Sequence, residues 1–245
     1  MYTHHKLDHD FDAGVEAAIA YLVCALPRSG SSLLCELLFS TGSAGAPAEY
    51  FDRALMNEFR RRWGVTTFEE YLSTLLARKT GPNGVFGVKA HFFQLDEAFP
   101  EGGLDSVLPP LSYVYITRRD HLRQAISWAR ALQTHKWASD HEVAEEHPEV
   151  FRRPQIDRLL AGIVERERRW EAFFTGSDLA PLRVVYEDLV ATPADTVRAV
   201  LRHIGVDEPE RFTVGEPTLR RQADEVTEDW VSRYLEGDPL VAASW

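Results

Sequence analysis

Ala20-Tyr21-Leu22-Val23-Cys24-Ala25-Leu26 runs into Pro27-Arg28-Ser29-Gly30-Ser31-Ser32, which runs into Leu33-Leu34-Cys35-Glu36-Leu37-Leu38. The first seven residues are apolar without alternation and stop at a proline. That is the pattern of a short strand buried on both faces, as in a parallel sheet. The last six read as a buried helix that stops near Thr41-Gly42. Strand, short loop and helix in this order form a cradle for an anion. The first amides of a helix lack intrahelical acceptors, and the helix dipole presents its positive end there. Gly30 permits a tight turn and close approach of a ligand. Ser29, Ser31 and Ser32 add hydroxyls, and Arg28 adds a forked cation.

The same alternation continues along the chain. Val85-Phe86-Gly87-Val88-Lys89, Leu111-Ser112-Tyr113-Val114-Tyr115-Ile116 and Leu182-Arg183-Val184-Val185-Tyr186 are further strand candidates. Helical patterns lie between them. One spans Ala54 to Lys79, broken at Gly64 and restarted at Thr66-Thr67. A second follows Asp120 as its cap to about Leu132. A third runs from Gln155 to Phe174, and a fourth opens at Thr192-Pro193 and ends before Gly205. Strands alternating with helices imply an α/β fold, a doubly wound and mostly parallel sheet flanked by helices. Ligands bind such sheets at the carboxyl ends of the strands. Arg28 to Ser32, Lys89, Arg118 and Arg119 all fall at those ends.

The chain has 245 residues, 44% hydrophobic and 27% charged, with a net charge of −11. We expect a tail over residues 1–15, carrying His4, His5 and His9, and one domain over 16–245. The acidic balance argues against a nucleic-acid partner, so an anionic ligand must be held by a local cluster of cations. Cys24 and Cys35 both lie in apolar patterns and read as buried thiols, which fits a reducing, cytoplasmic location. No apolar run approaches a transmembrane segment or the core of a signal peptide. The carboxylates Glu142, Glu145, Glu146 and Glu149 read as solvated surface.

A second anion segment follows the third strand candidate. Ile116-Thr117-Arg118-Arg119-Asp120 leads into a helix carrying Arg123, Ser127 and Arg130. Arg119 and Ser127 are eight residues apart, a little over two helical turns. The G-x-x-x-x-G-K-[ST] spacing of a nucleoside triphosphate loop is absent, which disfavours a metal-dependent kinase.

Taken in order, these motifs resemble the sulfotransferases that use 3′-phosphoadenosine-5′-phosphosulfate (PAPS), with their P-loop-like fold. Pro27-Arg28-Ser29-Gly30-Ser31-Ser32 resembles the 5′-phosphosulfate loop. Arg118-Arg119-Asp120 with Ser127 resembles the 3′-phosphate segment. Further motifs are similar to the mycobacterial trehalose 2-sulfotransferase family: Pro47-Ala48-Glu49-Tyr50-Phe51, Pro82-Asn83-Gly84-Val85-Phe86-Gly87-Val88-Lys89, Gln124-Ala125-Ile126-Ser127-Trp128, Gln133-Thr134 with Trp137, and Arg221-Gln222-Ala223-Asp224.

The resemblance implies a homodimeric enzyme that moves a sulfuryl group from PAPS, without a metal, to a hydroxyl of trehalose or a related glycan, glycolipid or small alcohol. It implies that Arg28, Ser29, Gly30, Ser31 and Ser32 hold the 5′-phosphosulfate, and that Arg221 closes over the nucleotide. Ser127 holds the 3′-phosphate together with Arg118 or Arg119: the neighbouring family pattern favours Arg118, the eight-residue spacing Arg119. Glu49 matches the family's carboxylate base. As our own expectation of the mechanism, Lys89 and Arg28 would stabilise the charge on the transferring group, and His91 reads as a hydrogen-bonded structural histidine or an alternative base. Gln133 and Trp137 are acceptor-binding candidates. Between Phe51 and Pro82, where that family shapes its acceptor pocket, the chain is shorter. Two other classes remain: a P-loop kinase, which requires Mg²⁺ and ATP, and a non-catalytic nucleotide- or glycan-binding protein, which requires Arg28 and Arg118 but not Glu49.

Overall fold

Strand β1 (Ile19–Ala25) lies between β2 (Val85–His91) and β3 (Leu111–Thr117), and β4 (Leu182–Val185) extends the sheet beyond β3. The computed structural model describes residues 9–11, 14–100, 104–137, 147–209, 212–215 and 224–237. Among them the sheet has the order β2-β1-β3-β4, and every pairing is parallel. The register sets Ala25 beside His91, and Cys24 beside both Ala90 and Tyr115.

The continuous apolar run of β1 has a direct physical reading. Successive side chains point to opposite faces of a strand, and here both faces are covered. Ala20, Leu22 and Cys24 enter one core with Tyr50, Phe59, Tyr71, Ile126, Ile163 and Trp170. Tyr21, Val23 and Ala25 enter the other with Leu34, Leu38, Val197 and Leu201. The first face is built from α2 (Arg53–Trp63), α3 (Phe68–Lys79), α6 (His121–Thr134), α7 (Arg153–Gly176) and α10 (Glu225–Glu236). The second carries α1 (Ser31–Ser40), α8 (Tyr186–Ala191) and α9 (Pro193–His203). Two short helices, α4 (Phe92–Ala98) and α5 (Leu104–Val107), fill the connection from β2 to β3. Trp170 of α7 is fully buried, and its indole N–H donates to the Ala25 carbonyl at 3.2 Å. Truncating such a residue to alanine costs roughly 3–5 kcal/mol.

This topology creates the crevice. The chain turns from β1 to β2 on one side, then returns past β1 to β3 on the other. The helices that follow β1 and β3, α1 and α6, cover opposite faces. Their connecting loops therefore part at the carboxyl ends of β1 and β3, where such sheets bind ligands.

The observed elements differ from the expected ones mainly at their ends. The helix after β1 begins at Ser31, so two of the loop serines belong to its first turn. β2 continues to His91, two residues past the expected end, and passes directly into α4. Residues 9–11, within the expected tail, are tied down: Lys79 donates to the His9 carbonyl at 2.6 Å and pairs with Asp10 at 2.9 Å, and Phe11 N–H donates to the Arg78 carbonyl. Among the described residues, no helix is long and apolar enough to cross a membrane.

Candidate active site

The loop after β1 is held in a conformation that side-chain-bearing residues seldom adopt. Arg28 has φ 62° and Gly30 has φ 87°, both left-handed, on either side of Ser29. For an arginine this is a strained geometry of the kind found at functional sites. The fold maintains it from several directions. Ser29 is fully buried, and both its amide and its hydroxyl donate to the Leu26 carbonyl. Gln124 donates to the Pro27 carbonyl at 2.8 Å. Arg28 Nε donates to Ser127 Oγ at 2.9 Å, and another guanidinium N–H donates to the Trp137 carbonyl. The hydrogen of Ser29 is thus spent on the loop itself, whereas Arg28 reaches across to α6. Gly30 caps α1 without any side-chain hydrogen bond to the helix amides. A Cβ built on Gly30 would sit 2.3 Å from the Tyr186 ring, so the loop and Tyr186 are in intimate contact.

Tyr186 also packs on the second anion segment. The Arg118 guanidinium lies over its ring, 4.7 Å from the centroid, and Arg118 is only 9% exposed. Its neighbour Arg119 points elsewhere: its side chain is 60% exposed and makes a forked pair with Asp188 at 2.5 and 2.7 Å. Glu187 accepts from the backbone amides of Arg119 and Asp120 at 3.1 and 3.3 Å. Asp120 caps α6 by accepting from Arg123 N–H at 2.9 Å. The segment Tyr186-Glu187-Asp188 therefore fixes the entry to α6 and separates the two arginines.

On the other side of β1 a third group assembles. The amide of Lys89 donates to the Ala48 carbonyl at 2.9 Å, which ties the segment after α1 to the edge of β2. Glu49 is delivered beside Lys89 by that contact. Lys89, 5% exposed, places Nζ 2.5 Å from Glu49 Oε1 and 3.0 Å from Ser32 Oγ. Gln94 donates through Nε2 to Glu49 Oε2 at 3.0 Å. His91 Nε2 lies 3.7 Å from the same oxygen. The Ala25 carbonyl, 3.0 Å from His91 Nδ1, can only accept, so Nδ1 carries a proton.

Burial alone would push the Glu49 carboxyl up. The charges of Lys89 and His91 and the hydrogen bonds from Lys89 and Gln94 outweigh it and hold the group well below the usual carboxylate range. Burial pushes His91 down, and Lys89 adds to that; Glu49 opposes it. The site therefore holds an ionised carboxylate against the Lys89 ammonium, with the His91 imidazole protonated on Nδ1 beside it. An ionised carboxylate with one oxygen on an ammonium suits proton abstraction from a hydroxyl once that ammonium is drawn to another anion.

The remaining expected residues are spread more widely. Gln133 is used up by the chain itself, bonding both the N–H and the carbonyl of Val150 and also Gln155. It lines a cleft of about 690 Å³ with Phe151, Arg153 and Gln155, apart from Glu49 and Lys89. Trp137 gives its carbonyl to Arg28 while its ring packs on the core. Trp63 is stacked between Phe59 and Tyr71 and donates to Asp10, and Trp128 is buried under Arg166. Glu149 is not merely solvated surface, as expected, but pairs with Arg130 at 2.8 Å because α6 and the segment before α7 converge there. Glu142, Glu145, Glu146 and Arg221 lie outside the described residues. Sequence reasoning assigned no role at the site to Gln94 or Tyr186. Their position just beyond the carboxyl ends of β2 and β4 was the available signal.

Residues 20–237 match the family described as Stf0 sulphotransferase. The chain belongs to the Stf0 sulphotransferase family. Two curated relatives, both named trehalose 2-sulfotransferase, share this sequence pattern. The one from Mycolicibacterium smegmatis is 28% identical over 256 aligned residues, covering 88% of this chain and 94% of the relative. The one from Mycobacterium tuberculosis is 29% identical over 252, covering 87% and 93%. Among solved structures, the sulfotransferase domain from the Synechococcus PCC 7002 olefin synthase aligns with a TM-score of 0.45 and 16% identity, over 78% of this chain and 74% of that one. Its family makes the protein a sulfotransferase, and Arg28, Arg118, Lys89 and the half-buried Glu49 carboxylate gather around the loop at the ends of β1, β2 and β3.

Proposed function

We propose that this sulfotransferase moves a sulfuryl group from PAPS to a hydroxyl of a carbohydrate, trehalose or a related glycan or glycolipid, with Glu49 as the base. One observation carries this reading. A single ammonium, Lys89 Nζ, touches both the Glu49 carboxylate and the hydroxyl of Ser32 at the start of α1. The base and the anion loop thereby meet at one charge.

The residues fit a doubly phosphorylated adenosine. Gly30 lets the Tyr186 ring pack directly against the loop, and α1 starts without a side-chain cap on its first amides. Arg28, Gly30, Ser31 and Ser32 would hold the 5′-phosphosulfate. Arg118 and Ser127 would hold the 3′-phosphate; Arg119 is committed to Asp188 and is the weaker candidate. Arg221 would close over the nucleotide.

PAPS supplies an activated sulfuryl group. The acceptor oxygen forms the new S–O bond, the bond from sulfur to the bridging phosphate oxygen breaks, and the acceptor proton passes to Glu49. Adenosine 3′,5′-bisphosphate leaves. Negative charge grows on the bridging oxygen, where Lys89, Arg28 and the amides of α1 stabilise it. As Lys89 shifts toward that charge it releases Glu49, and the carboxylate regains basicity as it is needed. The names of the two relatives support a sugar acceptor. The same reading places the enzyme in the cytoplasm as a homodimer, working without a metal.

The test combines a thermal-shift screen with transfer of label from ³⁵S-PAPS across a panel of sugars, the product being identified by mass spectrometry. Stabilisation by adenosine 3′,5′-bisphosphate without metal, and a labelled sugar, are the expected results. Stabilisation by ATP–Mg²⁺ alone would overturn the donor assignment. Absence of label in every sugar would overturn the acceptor class.

A further inference from the structure

We propose that Gln94 is a positioning residue for the base: its side-chain amide holds Glu49 by Oε2 and leaves Oε1 as the oxygen that takes the acceptor proton. This rests on the reading of Glu49 as the base.

Gln94 is 2% exposed, in the first turn of α4. A polar side chain buried this deeply needs partners at both ends of its amide. The orientation of the amide follows from its neighbours. The backbone N–H of His91 can only donate, so Gln94 Oε1 must face it, at 2.8 Å. Nε2 is then aimed at Glu49 Oε2, at 3.0 Å. Lys89 occupies the other carboxylate oxygen. When Lys89 is drawn toward the developing charge, Oε1 is freed while Oε2 stays tethered.

Starting the helix does not require a glutamine. A glutamate at the same helix position accepts the same backbone hydrogen bond equally well. What glutamate cannot do is donate to Glu49. The donating half of Gln94 thus serves the carboxylate alone. The other titratable groups facing this pair are Lys89 and His91 of β2, with Arg166 of α7 acting on His91.

Gln94→Glu separates the two halves, since it keeps the acceptor for His91 and sets a carboxylate against Glu49. We expect bisphosphate affinity to stay near that of the parent, and stability at neutral pH to fall in step with the upward shift of the carboxyl titration. We expect kcat at neutral pH to fall about ten-fold or more, with the acceptor KM little changed. The acidic limb of the kcat–pH profile should move up by about one unit or more, because two facing carboxylates share a proton. An unchanged kcat and acidic limb would overturn the proposal. If Gln94→Glu does not fold, Gln94→Leu, which removes both halves, must still lower kcat rather than raise KM; unaltered kcat overturns the proposal.

Glu49→Gln, measured alongside, tells the two failures apart. Retained turnover in Glu49→Gln sinks the base reading itself. Lost turnover there with a silent Gln94→Glu sinks the positioning role alone. A readout without acceptor is the ¹³C-carboxyl signal of Glu49, assigned by its loss in Glu49→Gln. Its titration must move to higher pH in Gln94→Glu, and an unmoved titration counts against the proposal.

Discussion

Arg28 Nε donates to Ser127 Oγ at 2.9 Å although the two residues are 99 positions apart. This contact fastens the loop after β1 to the second turn of α6 and unites the two anion segments. Replacing Ser127 by alanine removes a hydrogen bond to a charged group and a proposed phosphate donor. Bisphosphate affinity is expected to fall about ten-fold, from the usual worth of such bonds. Calorimetric titration measures it, and an affinity within two-fold of the parent speaks against Ser127 as a ligand.

Arg118 and Arg119 should behave differently. Arg119 sits in an exposed pair with Asp188, an interaction that solvent screens to little worth. Arg119→Ala is expected to leave bisphosphate affinity within about three-fold. Arg118→Ala removes the cation stacked on Tyr186 and is expected to weaken binding by more than about ten-fold. The reverse order would transfer the 3′-phosphate to Arg119.

Glu49→Gln keeps the shape of the side chain and its contact with Gln94, but removes the proposed base. Turnover is expected to fall about 10²- to 10⁴-fold, the usual range for a lost general base. The bisphosphate dissociation constant should hardly change. Single-turnover rates with labelled donor provide the measurement, and parental rates exclude Glu49 from proton transfer.

The Lys89–Glu49 pair makes stability depend on pH. The folded-state carboxyl titrates below its ordinary value of 4.5, so the pair stabilises the fold above that value and is lost as pH falls. Lys89→Met deletes the main attraction. The carboxylate is about a quarter exposed, so the cost at pH 7 should be about 2 kcal/mol, less than for a fully buried pair. Urea midpoints of parent and variant should converge as pH is lowered toward 3. A gap that stays constant with pH would show that the loss is one of packing, not charge.

Gly30→Ala should damage binding and stability together. The new methyl group meets the Tyr186 ring at 2.3 Å, and the backbone stays left-handed. The strain costs about 1–2 kcal/mol before any displacement of Tyr186. In the double variant Gly30→Ala/Tyr186→Ala the clash is gone, so the two losses of stability should sum to more than the combined effect. Strict additivity in chemical denaturation would show that the two residues do not press on each other.

Much of this architecture was legible because its strands are short apolar runs expected to close at Pro27, Lys89, Arg118 and Tyr186, although β2 runs on to His91 and Tyr186 already opens α8. The anion loop was legible because Gly30 and three serines stand between a strand and a helix. Helices α4 and α8 were not, since they leave β2 and β4 directly, without the serine, threonine, aspartate or asparagine that marks most helix starts. Gln94 escaped notice for the same reason. The arginine doublet is ambiguous in sequence because adjacent side chains at a strand end differ only in direction. That direction is set by Tyr186 and Asp188, nearly 70 residues further along the chain. Gln133 read as an acceptor-binding candidate, but the segment before α7 folds back onto its amide.

The position of β1 between β2 and β3 divides the labour of the enzyme. Groups proposed to grip the nucleotide, Arg118 and Ser127, with Tyr186 packed under Arg118, stand on the β3 flank, whereas Glu49, Lys89, His91 and Gln94, proposed to handle the acceptor's proton, stand on the β2 flank. In that proposal the loop of Arg28 to Ser32 serves both. Under the proposed assignment, grafting the β2 flank between relatives should change the acceptor while leaving the donor unchanged.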